Sequence, residues 1–121
     1  MKVLLDSNFV ISCVKRKIDF VFELQNLGFK VIIPREVIQE LKDLRLKSKH
    51  DDRIAINSAI DMFNSIKIKK IKLGEGKIDN KLIDYGKKGA YIASLDNYIR
   101  RNITNRVVIN SANNKLMIER G

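Results

Sequence analysis

The sequence contains one cysteine, Cys13, one histidine, His50, and one proline, Pro34. A single cysteine forms no internal disulfide, and with one histidine there is no Cys/His set to hold a structural zinc ion. One imidazole also gives no histidine-based triad. Long apolar runs are missing too. The longest are a few residues, against about 20 for a membrane-spanning helix, and Val3-Leu4-Leu5 behind Lys2 is too short for the core of a secretion signal. There are no repeats, low-complexity stretches or linkers. Carboxylates are scarce as well: 14 Asp and Glu stand against 24 Lys and Arg, a net charge of +10. What is present is 121 residues with 45% hydrophobic content. That is one folded domain's worth, too apolar for a disordered polycation. The expectation is a single basic domain spanning residues 1–121, cytoplasmic, with no membrane partner.

The basic excess has two readings. It either solvates the surface or answers a polyanion, most often nucleic acid. Local clustering favours the second. Lys67, Lys69, Lys70 and Lys72 alternate with Ile66, Ile68, Ile71 and Leu73; Lys42, Arg45, Lys47, Lys49 and His50 follow one another; Arg100, Arg101 and Arg106 crowd near the end. Lys42, Arg45, Arg100 and Arg101 are thus candidates for contacts with RNA.

Strand and helix patterns alternate along the chain. Val3-Leu4-Leu5 reads as a buried parallel strand, followed by a helix to about Val14 capped by Ser7 or Asn8. A second helix is expected from about Ile18, with Phe22, Leu24 and Leu27 inward and Gly28 as its stop. Lys30–Ile33 is a second strand, and Pro34 suits the first turn of a helix over Arg35–Leu46, with Val37, Ile38, Leu41 and Leu44 at helical spacing. Asp51 or Asp52 caps a helix over Arg53–Ser65 with Ile54, Ala55, Ala59 and Met62 or Phe63 inward. Ile66–Leu73 is a third strand and Gly74-Glu75-Gly76 a turn. A helix over Asp79–Lys87, a strand over Ala90–Ser94, a helix from Asp96 to about Asn102 and a strand over Val107–Ile109 complete the alternation, with Lys115–Glu119 available as a further edge strand. Such alternation implies an α/β/α sandwich around a central, mainly parallel sheet of about five strands.

In sheets of this kind, sites form beyond the carboxyl ends of the strands. Asp6 ends the first strand, Asp79 opens the helix after the third and Asp96 lies two residues past the fourth; Glu40 sits one and a half turns into the helix after the second. Singly, each has a purely structural use: Asp6, Asp79 and Asp96 as helix caps, Glu40 as a solvated partner of Lys42 or Arg35. Together, four carboxylates gathered at one edge repel one another unless cations neutralise them. Hard divalent ions with oxygen ligands, Mg²⁺ or Mn²⁺, suit such a donor set.

At these residues the sequence resembles the PIN-domain family of small ribonucleases, used in ribosomal RNA processing, RNA quality control and toxin–antitoxin systems. Val3-Leu4-Leu5-Asp6-Ser7-Asn8 resembles the family's opening strand and acidic signature, and Val37-Ile38-Gln39-Glu40-Leu41 its Glu-Leu helix. Ile78-Asp79-Asn80-Lys81-Leu82-Ile83 is similar to the third acidic motif, and Tyr91-Ile92-Ala93-Ser94-Leu95-Asp96 with Ile99-Arg100-Arg101 to the fourth. The compact length, the Gly-Ala-Tyr-Ile-Ala-Ser strand and the Arg-Arg turn look most like the short archaeal proteins related to rRNA-processing PIN nucleases, with the toxin branch also open.

The resemblance implies a Mg²⁺- or Mn²⁺-dependent endoribonuclease. Asp6, Asp79 and Asp96 would hold metal directly or through water, and Glu40 would hold metal or orient the attacking water. Ser7 and Asn8 would position Asp6 and the scissile phosphate. Asn80 stands where processing-type relatives often carry a second acid; its amide oxygen can still coordinate, with less negative charge. Phe9, Tyr85, Tyr91 and Tyr98 are the aromatic residues available either as core or as stacking platforms for RNA. The implied partners are RNA, a ribosomal precursor particle or an antitoxin. A homodimer is also suggested, with Leu116-Met117-Ile118 as an apolar edge. A non-catalytic RNA-binding assembly factor is the alternative of a different class. A phosphoacceptor domain fits worse, because there is no acid pair near the chain start and no Lys after the last strand.

Overall fold

The computed structural model describes residues 1–121. Six strands and six helices follow in the order β1 (Lys2–Leu5), α1 (Ser7–Lys15), α2 (Phe20–Asn26), β2 (Lys30–Pro34), α3 (Arg35–Arg45), α4 (His50–Ser65), β3 (Lys69–Ile71), α5 (Ile78–Lys87), β4 (Tyr91–Ala93), α6 (Asn97–Arg101), β5 (Arg106–Asn110) and β6 (Lys115–Glu119). They form one sheet in the order β3-β2-β1-β4-β5-β6. The first five strands pair in parallel and β6 returns antiparallel to β5. The sheet therefore has six strands where the sequence suggested about five, because Lys115–Glu119 does pair, Met117 opposite Val108.

Alternation along each strand sends neighbouring side chains to opposite faces. Val3, Leu5, Val31, Ile33 and Ala93 point into a large core roofed by α1 to α4. Leu4, Ile32 and Ile92 point into a smaller core covered by α5 and α6. The sandwich is thus three-layered but unequal. In the large core Phe20 stands edge-on to both Phe9 and Phe63, at ring-centroid distances of 6.1 and 6.2 Å, which ties α1, α2 and α4 together. No helix is long and apolar enough to cross a membrane.

Several local expectations shift. Helix α2 begins at Phe20, capped by Asp19, whose carboxylate accepts the Phe22 amide at 3.3 Å. That start turns Phe20, Val21 and Leu24 inward and leaves Phe22 and Leu27 exposed. In α4 the helix starts at His50, ahead of the expected aspartate caps, which lie in its first turn. Its buried stripe is Ala55, Ile56, Ala59, Ile60 and Phe63, with Ile54 exposed. Packing against α1 and α3 selects this stripe, and the sequence offers apolar residues on both sides of it. The lysine-rich segment 66–73 contributes only three residues of ladder, as suits a sheet edge. Pro34 ends β2 and stands just before α3 without a side-chain cap. Helix α1 is capped by Asp6 rather than Ser7 or Asn8.

Candidate active site

The carboxyl ends of β1 and β4 lie side by side, Leu5 opposite Ala93. This register brings the residues that follow them together. The Asp6 amide donates to the Ala93 carbonyl at 2.9 Å, and the Asp6 side chain, 6% exposed, is clasped from two sides. Its Oδ1 accepts the Ser7 amide at 2.9 Å and its Oδ2 accepts the Ser94 hydroxyl at 2.7 Å. The Ser94 oxygen in turn accepts the Asp96 amide at 3.1 Å. Asn8 adds a second tie, its side-chain oxygen taking the Leu95 amide at 3.1 Å. Two loops are thereby tied by a polar lattice whose centre, Asp6 with Ser94, is buried.

Ser7 projects from the first turn of α1 and donates its hydroxyl to Glu40 on α3. Glu40 reaches the site because α3 starts directly at the end of β2 and its residues Val37, Ile38 and Leu41 are buried in the core. Asp96 caps α6, accepting the Ile99 amide at 3.0 Å. Asp79 lies in the first turn of α5, where it accepts the Asn80 amide at 2.9 Å. All four acids, with Ser7 and Asn8, line one open cleft of about 500 Å³. Burial pushes the Asp6 carboxyl above the ordinary aspartate range; the bonds from Ser94 and Ser7 pull against this, and the charges of Glu40 and Asp96 add to it. The sheet edge therefore concentrates negative charge in a chain of net charge +10. The acids border the cleft rather than forming a closed cage: no three Asp, Glu, His or Cys side chains gather closely enough to hold a metal ion by themselves.

Other predicted residues lie apart. Asn80 does not line the cleft; its oxygen accepts the Tyr98 hydroxyl at 3.1 Å, linking α5 to α6. Arg45 donates to Asn57 at 3.2 Å, and Arg100 lies 4.0 Å from Glu119, beside Arg106. Neither these nor Lys42 and Arg101 line the cleft. Among the aromatic residues, Phe9 and Tyr91 are buried and Tyr85 and Tyr98 exposed. Sequence reasoning missed Lys77, the one cation on the cleft wall, and the roles of Ser94 and Glu36. A serine closing the apolar run Tyr91-Ile92-Ala93 was the available cue for Ser94. Glu36 holds the loop after β3, accepting the Leu73 amide at 2.9 and 3.0 Å and the Gly74 amide at 3.1 Å; nothing local in the sequence announces that contact.

The solved structure of the PIN domain endonuclease Utp24 superimposes with a TM-score of 0.75 at 18% identity, covering 99% of this chain and 92% of that one. The VapBC2 complex of Rickettsia felis, solved bound to a DNA fragment from its promoter, contains a chain that matches with a TM-score of 0.54 at 16% identity, over 85% of this chain and 96% of that one. At these identities the likeness is one of fold. No curated protein sequence matches the chain significantly. Residues 3–110 match the family described as PIN like domain. From Val3 in β1 to Asn110 at the end of β5, then, the protein belongs to the PIN-like domain family.

Proposed function

We propose that the protein is a divalent-metal-dependent endoribonuclease that cuts RNA phosphodiester bonds, with a role in RNA processing or quality control. The observation that carries this reading is the convergence of Asp6, Glu40, Asp79 and Asp96 on one cleft at the carboxyl edge of the sheet. The donor set fits Mg²⁺ or Mn²⁺. All four are hard oxygen ligands. The open arrangement also suits Mg²⁺ in particular, which keeps several waters and binds through one or two carboxylates together with substrate phosphates. A bound cation would also offset the repulsion that Glu40 and Asp96 exert on buried Asp6.

In this reading Asp6, Asp79 and Asp96 would hold the ion, directly or through water. The chemistry the ion supplies is Lewis acidity at water and at the phosphodiester oxygens. Ser7 fixes the Glu40 carboxylate, whose remaining acceptor capacity orients a water in the cleft. Ser94 holds Asp6 and the Asp96 backbone in one arrangement. Asn8 ties α1 to the loop after β4 and keeps Asp6 in register. Lys77 attracts an RNA phosphate to the rim. The absence of a closed cage favours a second reading, an RNA-binding assembly factor without catalysis. An antitoxin is the partner implied if the chain works as the toxin half of a pair.

Incubation of single-stranded and structured RNA with the protein in Mn²⁺ or in EDTA separates these readings. The nuclease reading expects cleavage in Mn²⁺ alone and its loss in Asp6→Asn and Asp96→Asn. Intact RNA in Mn²⁺, or cleavage indifferent to both substitutions, overturns it and leaves the binding role.

A further inference from the structure

A second hollow, about 570 Å³, lies at the opposite end of the sheet. It exists because the two faces are unequally covered: α1 to α4 pack over one, while the other carries only α5 and the five-residue α6. Near the amino ends of β1, β2 and β3 this second face lacks a helical roof. Its floor includes Leu4 and Ile32, and its wall includes Tyr85, 36% exposed, on α5.

Three lysines, Lys2, Lys69 and Lys88, line this hollow, and Lys30 stands beside them on β2. Lys2 is the ladder partner of Lys30, so the two sit on strands about 4.8 Å apart. Lys69 is the partner of Ile32, one strand further and two residues along. By alternation Lys2 shares its face with Leu4, Lys30 with Ile32 and Lys69 with Ile71. All three therefore project from the same, thinly covered face. Lys88, at the end of α5, joins Lys2 and Lys69 along the wall. No acid lines the hollow, and none of these lysines takes part in an ion pair of the structure. The Lys69 charge first, then desolvation, the Lys69 side chain's hydrogen bond and the Lys2 charge hold the Lys30 ammonium below the usual lysine range. Uncompensated like charges fixed by the sheet ladder favour an anion.

Lys30 and Lys69 stand together on neighbouring strands, while Lys2 and Lys88 come from a third strand and from the end of α5, and this spread of positive charge suits a chain of phosphates better than a single one. The tyrosine ring beside them adds the second component of single-strand recognition, a platform on which a base stacks. A purely acidic peptide, with no flat ring of its own, would leave that platform unused. We propose that this groove binds a single-stranded segment of RNA, with phosphates on Lys2, Lys30, Lys69 and Lys88 and a base on Tyr85. This inference extends the proposed ribonuclease function, placing a second contact about 13 Å from Asp6 along β1, four residues away at about 3.3 Å each. Helix α5 runs between the two sites, with Asp79 in its first turn at the cleft and Lys88 following its last residue at the groove. The groove holds the strand that the cleft cuts.

Fluorescence anisotropy of a labelled oligouridine, in EDTA so that the probe stays intact, reads the groove independently of cleavage. A Lys30→Gln/Lys69→Gln/Lys88→Gln variant keeps much of the aliphatic stems and removes three charges. It should bind at least about 10-fold more weakly, with the slope of log affinity against log salt reduced by roughly 2. Tyr85→Ala should weaken binding by roughly 10-fold. Both variants should melt near the wild type and, in Mn²⁺, show a raised KM with kcat retained. Wild-type affinity and salt slope in the triple variant overturn the proposal. So does a polyglutamate peptide that displaces RNA equally well from wild type and Tyr85→Ala, which assigns the groove to an acidic peptide. Failure of the nuclease reading shows separately, as intact RNA in Mn²⁺ alongside groove-dependent binding in EDTA.

Discussion

Ser94→Ala tests the polar lattice at its centre. Ser94 is 1% exposed, donates to the Asp6 carboxylate at 2.7 Å and accepts the Asp96 amide at 3.1 Å. Alanine removes both bonds and admits no water easily. A hydrogen bond to a charged group contributes about 1.5–3 kcal/mol and a neutral one about 1, so the loss should be roughly 2–4 kcal/mol. Unfolding entropy of about 2.1 cal/mol/K per residue over 121 residues converts this to a fall in melting temperature of about 8–16 °C. The loss should depend on pH. Burial already raises the Asp6 carboxyl, and the Ser94 bond is the main force opposing that rise. Without it Asp6 goes higher still. A folded-state value above the unfolded one means that ionised Asp6 destabilises the fold above that value, and that the penalty disappears as pH falls through it. The deficit of the variant should therefore be larger at pH 7 than at pH 4. Calorimetry at both pH values is the assay. A melting temperature within about 2 °C of wild type at pH 7, or a deficit that grows in acid, would refute the reasoning.

Glu36→Gln should cost roughly 1–2 kcal/mol, because one amide-accepting oxygen becomes a donor facing the Leu73 and Gly74 amides. Burial would raise the Glu36 carboxyl, but the Leu73, Glu36 and Gly74 amides together with the Lys72 charge hold it low; its contribution is present above about 4.5 and lost as pH falls through the lower folded value, so urea melts of the two proteins should converge in acid. Gly86→Ala should destabilise despite alanine's helix propensity, worth about 1 kcal/mol over glycine. A Cβ there meets Ile103 Cγ2 at 2.5 Å and Ile92 Cγ1 at 3.3 Å, and overpacking costs about 1–3 kcal/mol; equal or greater stability in denaturant melts would contradict the packing. Burial pushes the Cys13 thiol up to about 12, so a thiol-disulfide reagent at pH 8 should leave the native protein untouched and react only as denaturant unfolds it.

The alternation of strand and helix was legible from apolar runs and breakers, since each segment advertises its own period. So was the gathering of Asp6, Glu40, Asp79 and Asp96, because parallel topology places every strand-to-helix connection and the start of the helix after it at the same edge. Helix faces were less legible. In α4, residues 54–56 and 59–60 are all apolar or small, and only contact with α1 and α3 decides that Ile56 and Ile60 turn inward while Ile54 does not. Contacts that join distant segments left no local trace: Ser7 with Glu40 across 33 positions, and Glu36 with Leu73 across 37. The lysine-rich segment was legible as basic, but its partners were not. Lys69 meets Lys2 and Lys30 only because the sheet order puts β3 beside β2 and β2 beside β1.

By itself the sequence determined an α/β chain with scarce acids at strand ends and a large basic excess, because periodicity and charge are local properties. Tertiary structure decided what those charges face. Strand order and register brought buried Asp6 and Ser94 and half-buried Asp96 into one hydrogen-bonded lattice. The unequal division of helices between the two faces left a lysine-lined groove at the other end. Both outcomes depend on which segments become neighbours, and that is fixed by how the whole chain buries its apolar surface.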